Sequence, residues 1–192
     1  MTENKENILK AYNILIVNDD GINANGLKAL ALGLKNIGNI AVVSCFDNQV
    51  YPSFSLTIGD TIVAKKMNKW ADNIYVYAVS GVPLNGLKFS LSYLIKNILK
   101  WEYLDIIVSG INNGQNMGSN LIYSGTISLS LSSRFNEILL NINDLLDQNN
   151  NKPLSIAVSL CKPLINENDI INQDDIFSTN DIDYNNAVDI TR

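Results

Sequence analysis

Asn18, Asp19, Asp20 and Gly21 close the apolar run Ile14-Leu-Ile-Val17, and the chemistry they could do is that of two adjacent carboxylates. Neighbouring aspartates repel each other and are costly to desolvate, so a pair at a strand tip calls for a facing positive charge. A divalent cation is the simplest such charge, and hard oxygen donors suit magnesium, manganese or calcium. Gly21 lets the backbone turn sharply after the pair. The other reading of the same residues is a polar turn ahead of a helix, with one aspartate as its N-cap. The chain has no histidine, which excludes histidine triads, histidine metal ligands and histidine bases.

Positioning the pair falls to the run before it. Four aliphatic residues bounded by polar ones read as a strand buried on both faces, the kind found inside a parallel sheet, whose carboxyl end is where ligands bind. Apolar residues at Leu27, Leu30, Ala31 and Leu34 fall at helical spacing, with Gly38 as the stop, and residues 40–45 form a second strand. Strand, crossover helix and strand make one right-handed parallel unit. Residues 46–57 read as a loop on the same sheet edge as the aspartates. Short strands are expected at 55–58 and 61–64 around the turn Gly59-Asp60, and an alternating strand at 73–79. An amphipathic helix follows over 84–99, then a central-type strand at 105–109, a glycine and asparagine loop at 110–118, a helix from Ile127 to Leu146, and a fourth buried strand at 154–160. Tyr75, Tyr77 and Tyr93, at alternating or helical spacing, read as core or sheet-surface aromatics.

Composition bounds the rest. The 192 residues, 46% hydrophobic and 17% charged, suit one soluble globular domain. A net charge of −5 argues against a surface that grips a nucleic acid polymer through its phosphates. No run approaches a membrane span, and the first residues lack the apolar core of a signal peptide. Cys45 and Cys161 each follow an apolar run and show no metal spacing, so both read as small buried hydrophobes in a reducing compartment. The expected location is the cytoplasm.

Four motifs occur in order: Asn18-Asp-Asp-Gly21, Val108-Ser-Gly-Ile-Asn-x-Gly-x-Asn-x-Gly118, Tyr123-Ser-Gly-Thr126 and Ser155-Ile-Ala-Val-Ser159. In this combination the chain resembles the SurE (survival protein E) family of metal-dependent 5′/3′-nucleotidases, over about 12–160. The resemblance implies an α/β fold, a Rossmann-like three-layer sandwich with a mostly parallel central sheet. It forms a single domain over 1–192 with an acidic, asparagine-rich, loosely structured tail at 161–192. It implies one divalent metal ion held by Asp19, Asp20 and Asn112, which are also the expected catalytic residues. Asn18 would orient the carboxylates. Phosphate binding is expected of Asn18, Gly21, Asn116, Ser124, Gly125 and Thr126, the last three at a helix N-terminus. The substrate implied is a nucleoside monophosphate, hydrolysed at its 5′ or 3′ phosphate, and the assembly a homodimer.

The chain departs from the family pattern in several places. Where the family reads Asn-Arg-Ser-Gly-x-Ser-x-Ser-Leu-Thr, the chain has Asn48-Gln-Val-Tyr-Pro-Ser-Phe-Ser-Leu-Thr57. The family's serine ligand thus falls on Val50, which cannot coordinate a metal, with Ser53 as a possible substitute or simply a loop cap. Asn85 stands where the family has an aspartate, and Ser128-Leu-Ser-Leu-Ser132 replaces small and acidic residues. The family's C-terminal segment, which helps build the dimer and closes over the substrate, is expected to be missing after Arg192. Two functions stay open: a divalent-metal-dependent phosphomonoesterase, or a catalytically impaired relative that keeps the fold and binds metal or nucleotide without turnover. A dinucleotide-binding domain is excluded, since no Gly-x-Gly-x-x-Gly follows the first strand.

Overall fold

The computed structural model describes residues 11–47, 53–135 and 152–161. Its strands are β1 (Tyr12–Asn18), β2 (Gly38–Cys45), β3 (Ala64–Lys66), β4 (Ile74–Val79), β5 (Ile106–Asn112) and β6 (Leu154–Ser159). They lie in one sheet in the order β3-β4-β2-β1-β5-β6, parallel throughout except for the antiparallel pair of β3 and β4. The helices are α1 (Asn25–Leu34), α2 (Pro83–Phe89), α3 (Asn120–Tyr123) and α4 (Gly125–Phe135).

The sheet is buried on both faces because β1, β2 and β4 are nearly continuous apolar runs. Ile14, Ile16, Ile40, Val42 and Val76 pack under Leu27, Leu30 and Leu34 of α1 on one face. Leu15, Val17, Ala41 and Val43 alternate to the other face, under Leu87 of α2 and Leu129 of α4. Helices on both sides of a mostly parallel sheet are the expected three-layer α/β arrangement.

The chain runs outward from β1 through β2 to β4 and then returns to β5, on the far side of β1. The switch point of the sheet therefore lies between β1 and β5, and the crevice at their carboxyl ends is where this topology binds ligands. The aspartate pair leaves β1 at that point, and the asparagine loop leaves β5 beside it.

Several local expectations are corrected. No strand forms at 55–58 or over most of 61–64; the edge strand is Ala64–Lys66. The Thr57 N–H is taken by the Asn85 side-chain oxygen at 3.1 Å, not by a neighbouring strand. The helix expected over 84–99 is α-helical only to Phe89 and continues as a π-helix over Ser90–Ile98. Here the Ser90 and Ser92 hydroxyls donate to the carbonyls of Gly86 and Lys88, four residues back, at 2.7 and 2.6 Å. Such back-bonding competes with regular helix geometry. Strand β5 runs on through Asn112 instead of ending at Ser109, with a register shift against β6 between the two. Cys161 is exposed, not buried; among the described residues β6 is the edge strand of the sheet, and its residues are only partly covered.

Candidate functional site

The tip of β1 is locked before the carboxylates begin. Asn18 is 1% exposed, and its carbonyl accepts the Ser44 hydroxyl of β2 at 2.9 Å. The Ile22 N–H then reaches the Cys45 carbonyl at 2.8 Å. Gly21, at φ +91°, makes the turn between these anchors that a side chain would resist. Asp19 and Asp20 are thereby held on a short, pinned bend over the crevice.

Each carboxylate has its own donors. Asp19 accepts the Thr126 hydroxyl at 2.8 Å and the Thr126 backbone N–H as well. It sits against the first turn of α4 so closely that a Cβ on Gly125 would run into its carboxylate. Ser124 caps that helix, its hydroxyl accepting the Ile127 N–H at 3.1 Å. Asp20 accepts the Asn18 side-chain amide at 3.3 Å and the backbone N–H of Asn113. The Asp20 N–H in turn donates to the Asn18 side-chain oxygen. Asn18 thus grips both ends of Asp20.

These donors do not neutralise the pair. Burial pushes the Asp19 carboxyl above the ordinary carboxylate value, against the pull of the Thr126 hydroxyl. Asp20 is raised too, first by burial and then by the charge of Asp19. Neither carboxylate meets a lysine or arginine among the described residues, and the described residues hold no cluster of three histidine, cysteine or acidic side chains. One further oxygen is orphaned nearby: the side-chain carbonyl of Asn113, whose backbone N–H serves Asp20, is buried without a donor. Two uncompensated carboxylates and an unused amide oxygen fit a hard divalent cation.

The remaining sequence-named residues are distributed unevenly. Asn112 ends β5 at the same edge, but its side-chain amide donates to the Gly114 carbonyl at 3.0 Å, and no hydrogen bond joins it to either aspartate among the described residues. Asn116 points to β6, donating to the Ser159 hydroxyl at 2.8 Å. Ser53 spends its hydroxyl proton on the Ile122 carbonyl at 2.8 Å. Val50 lies outside the described residues. Asn85 is 1% exposed and bound to neutral groups at both ends, the Thr57 N–H and the Ser80 carbonyl, with no cation beside it.

A shallow cleft enclosing about 10 Å³ opens onto Asp19, lined also by Phe54, Ser55, Pro83, Leu84, Gly125 and Ser128. A roomier hollow lies at the opposite edge, at the amino ends of the strands near Tyr12, Lys35 and Asn73. It holds no carboxylate, so the smaller cleft is the one that matters for chemistry. Phe54 and Asn113 are the site residues that sequence reasoning missed. Asn113 fills a variable position of its motif, and nothing in its spacing marks it. Phe54 sits in a loop whose path along the chain gave no hint of contact with Asp19.

The family described as "Survival protein SurE" matches residues 14–180. A protein named "5′-nucleotidase SurE" from Chlorobium phaeobacteroides is 40% identical over 123 residues, which are 64% of this chain and 45% of that one. A protein of the same name from Chlorobium chlorochromatii is 39% identical over 118 residues, 62% of this chain and 41% of the other. The crystal structure of the SurE protein from Aquifex aeolicus superposes with a TM-score of 0.50 at 29% identity, over 63% of this chain and 47% of that one. The matched region spans less than half the length of each of these relatives.

Proposed function

The chain belongs to the survival protein SurE family, and we propose that it is a divalent-metal-dependent phosphomonoesterase, hydrolysing nucleoside 5′- or 3′-monophosphates to nucleoside and phosphate. The observation that carries this reading is the pair Asp19 and Asp20, half-buried at the switch point of the sheet with no basic side chain against them among the described residues. Related proteins named as nucleotidases support the substrate class.

In this reading Asp19 and Asp20 hold the metal, with Asn112 as the family's third ligand and the orphaned Asn113 oxygen beside Asp20. The metal, when bound, supplies Lewis acidity toward a phosphate oxygen and makes its water more acidic. The protein's own groups do the rest. Asn18 fixes the Asp20 carboxylate through two hydrogen bonds. The Thr126 hydroxyl and amide hold Asp19 at the head of α4. The first turn of α4 then offers the Gly125 N–H and its positive dipole end to a phosphate that enters over Gly125. Either aspartate can also serve as base or nucleophile.

Val50 in place of the serine ligand and Asn85 in place of a carboxylate favour the second reading, a relative that binds without turnover. Against that, a lost neutral ligand can be replaced by water, because magnesium usually keeps several. The cytoplasm is the proposed compartment, in keeping with the free thiols of Cys45 and Cys161. A homodimer is the proposed assembly, from the family resemblance. No helix among the described residues is long and apolar enough to cross a membrane.

Release of phosphate from nucleoside 5′-monophosphates, with manganese or magnesium against chelator, tests the proposal. Metal-dependent turnover is the expected result. A folded protein that binds manganese and releases no phosphate would sink it in favour of the impaired relative.

A further inference from the structure

Phe54 has an unusual setting. The residue is 51% exposed, and its backbone sits at φ +56°, a conformation that bulky side chains rarely adopt. It is held there next to α3 by the hydrogen bond from the Ser53 hydroxyl to the Ile122 carbonyl, 2.8 Å. A strained backbone that leaves an aromatic residue half exposed is not accounted for by core packing. The same residue lines the cleft that opens onto Asp19.

The size of that cleft decides what it can take. Its enclosed space is about 10 Å³, about what one water molecule needs and far below the roughly 300–1,000 Å³ of pockets that enclose a whole organic ligand. It takes at most an oxygen of a phosphate, and whatever that phosphate carries must lie across the rim. The rim beside Asp19 is Phe54, and the α3 segment clamped to its loop is apolar and exposed as well, with Ile122 at 67% and Tyr123 at 76%. The charged and hydrogen-bonding side chains of the cleft are Asp19, Ser55 and Ser128.

We propose that Phe54 is a specificity-determining residue of this site: its ring is the platform on which the base of a nucleoside monophosphate stacks while the phosphate lies at Asp19. The inference rests on the nucleotidase reading and deepens it. Stacking accepts any base face, so the platform selects for substrates that carry a base over bare sugar phosphates, and little among the bases.

The test compares 5′-AMP with ribose 5-phosphate, in manganese, for the full wild-type chain, Phe54→Ala and Phe54→Tyr. Loss of the ring is expected to raise KM for AMP about tenfold, the factor one base–aromatic stack is worth, while KM for ribose 5-phosphate stays unchanged. Phe54→Tyr is expected to restore the wild-type value. Phe54→Gly takes the same backbone angle without strain, so it reproduces the alanine result if the ring is what matters. An unchanged KM for AMP in both truncated variants, or an equal change for both substrates, would overturn the inference while leaving the nucleotidase reading intact. If the wild type hydrolyses neither compound, that reading has failed, and equilibrium dialysis of the two compounds in manganese still decides about Phe54. About tenfold weaker AMP retention in Phe54→Ala upholds the platform; equal retention, or none by the wild type, refutes it.

Discussion

Gly125 sits where a single methyl group would collide with the Asp19 carboxylate. Gly125 is the first residue of α4 and Asp19 is half-buried on a pinned bend, so Gly125→Ala should cost stability, about 1–3 kcal/mol, as the carboxylate gives up its hydrogen bonds, while the chain still folds. Manganese affinity should also fall at least about tenfold, because the carboxylate must leave its place beside Thr126. Calorimetric titration alongside thermal melts separates the two effects. The cysteines give a second prediction. Burial and the nearby charge of Asp19 push the Cys45 thiol from 9.0 up to about 12, whereas Cys161 is exposed. At pH 8 a thiol reagent should therefore label the native chain once, at Cys161, and twice only after unfolding; mass spectrometry reads the count. A raised thiol value also fixes the sign of a stability change. The native state keeps its full advantage below pH 9 and loses it as the pH climbs toward 12, because the unfolded thiol ionises first. Asn18, Asp19 and Asp20 were legible in the sequence because a buried run ending in paired carboxylates has few structural uses. The Thr126 to Asp19 contact joins residues 107 apart, and no local pattern carries such a pairing. Asn113 was illegible for another reason, since it fills a variable position of its motif and its bond to Asp20 comes from a backbone N–H that any residue but proline has.

Elements that are continuous apolar runs were readable, and those that depend on pairing were not. Strands β1, β2 and β5 announce themselves because parallel strands buried on both faces need unbroken aliphatic stretches. Residues 55–63 look equally strand-like, yet the Thr57 N–H goes to the side chain of Asn85 and Val63 bonds to Ser80 at the end of β4. Only three residues, Ala64–Lys66, find a place along β4. The start of β5 shows how side chains set register. Asp105 is 8% exposed, and its carboxylate accepts the Asn13 N–H of β1 at 2.8 Å. Its backbone N–H bonds the Asn13 carbonyl and its carbonyl takes the Leu154 N–H of β6, at 3.0 and 2.8 Å. Asp105→Ala strands a buried donor and should cost about 1–3 kcal/mol, seen as a lower urea midpoint with an unchanged slope. Asp105→Asn keeps an acceptor and should recover much of the loss. Both substitutions lie at the amino end of the strands, so turnover per folded molecule should not change.

At the scale of the molecule, the order β3-β4-β2-β1-β5-β6 puts the reversal of the chain between β1 and β5. That single topological fact brings the Asp19 and Asp20 bend, the Asn112 to Asn116 loop and the head of α4 to one crevice. The fold class followed from alternating runs and helical spacing, and the family from four ordered motifs. Asn112 and Asn116 direct their side-chain NH2 groups to Gly114 and Ser159, pairings that no local sequence pattern announces. The central claim is that the aspartate pair holds a divalent ion that the phosphatase chemistry needs. The most direct measurement is manganese binding, followed by electron paramagnetic resonance, and phosphate release from AMP, taken in the same samples of wild type and Asp19→Asn. One bound manganese per chain in the wild type, with binding and turnover lost together in Asp19→Asn, is the predicted result. Turnover that survives chelation, or that persists in Asp19→Asn, would contradict the account.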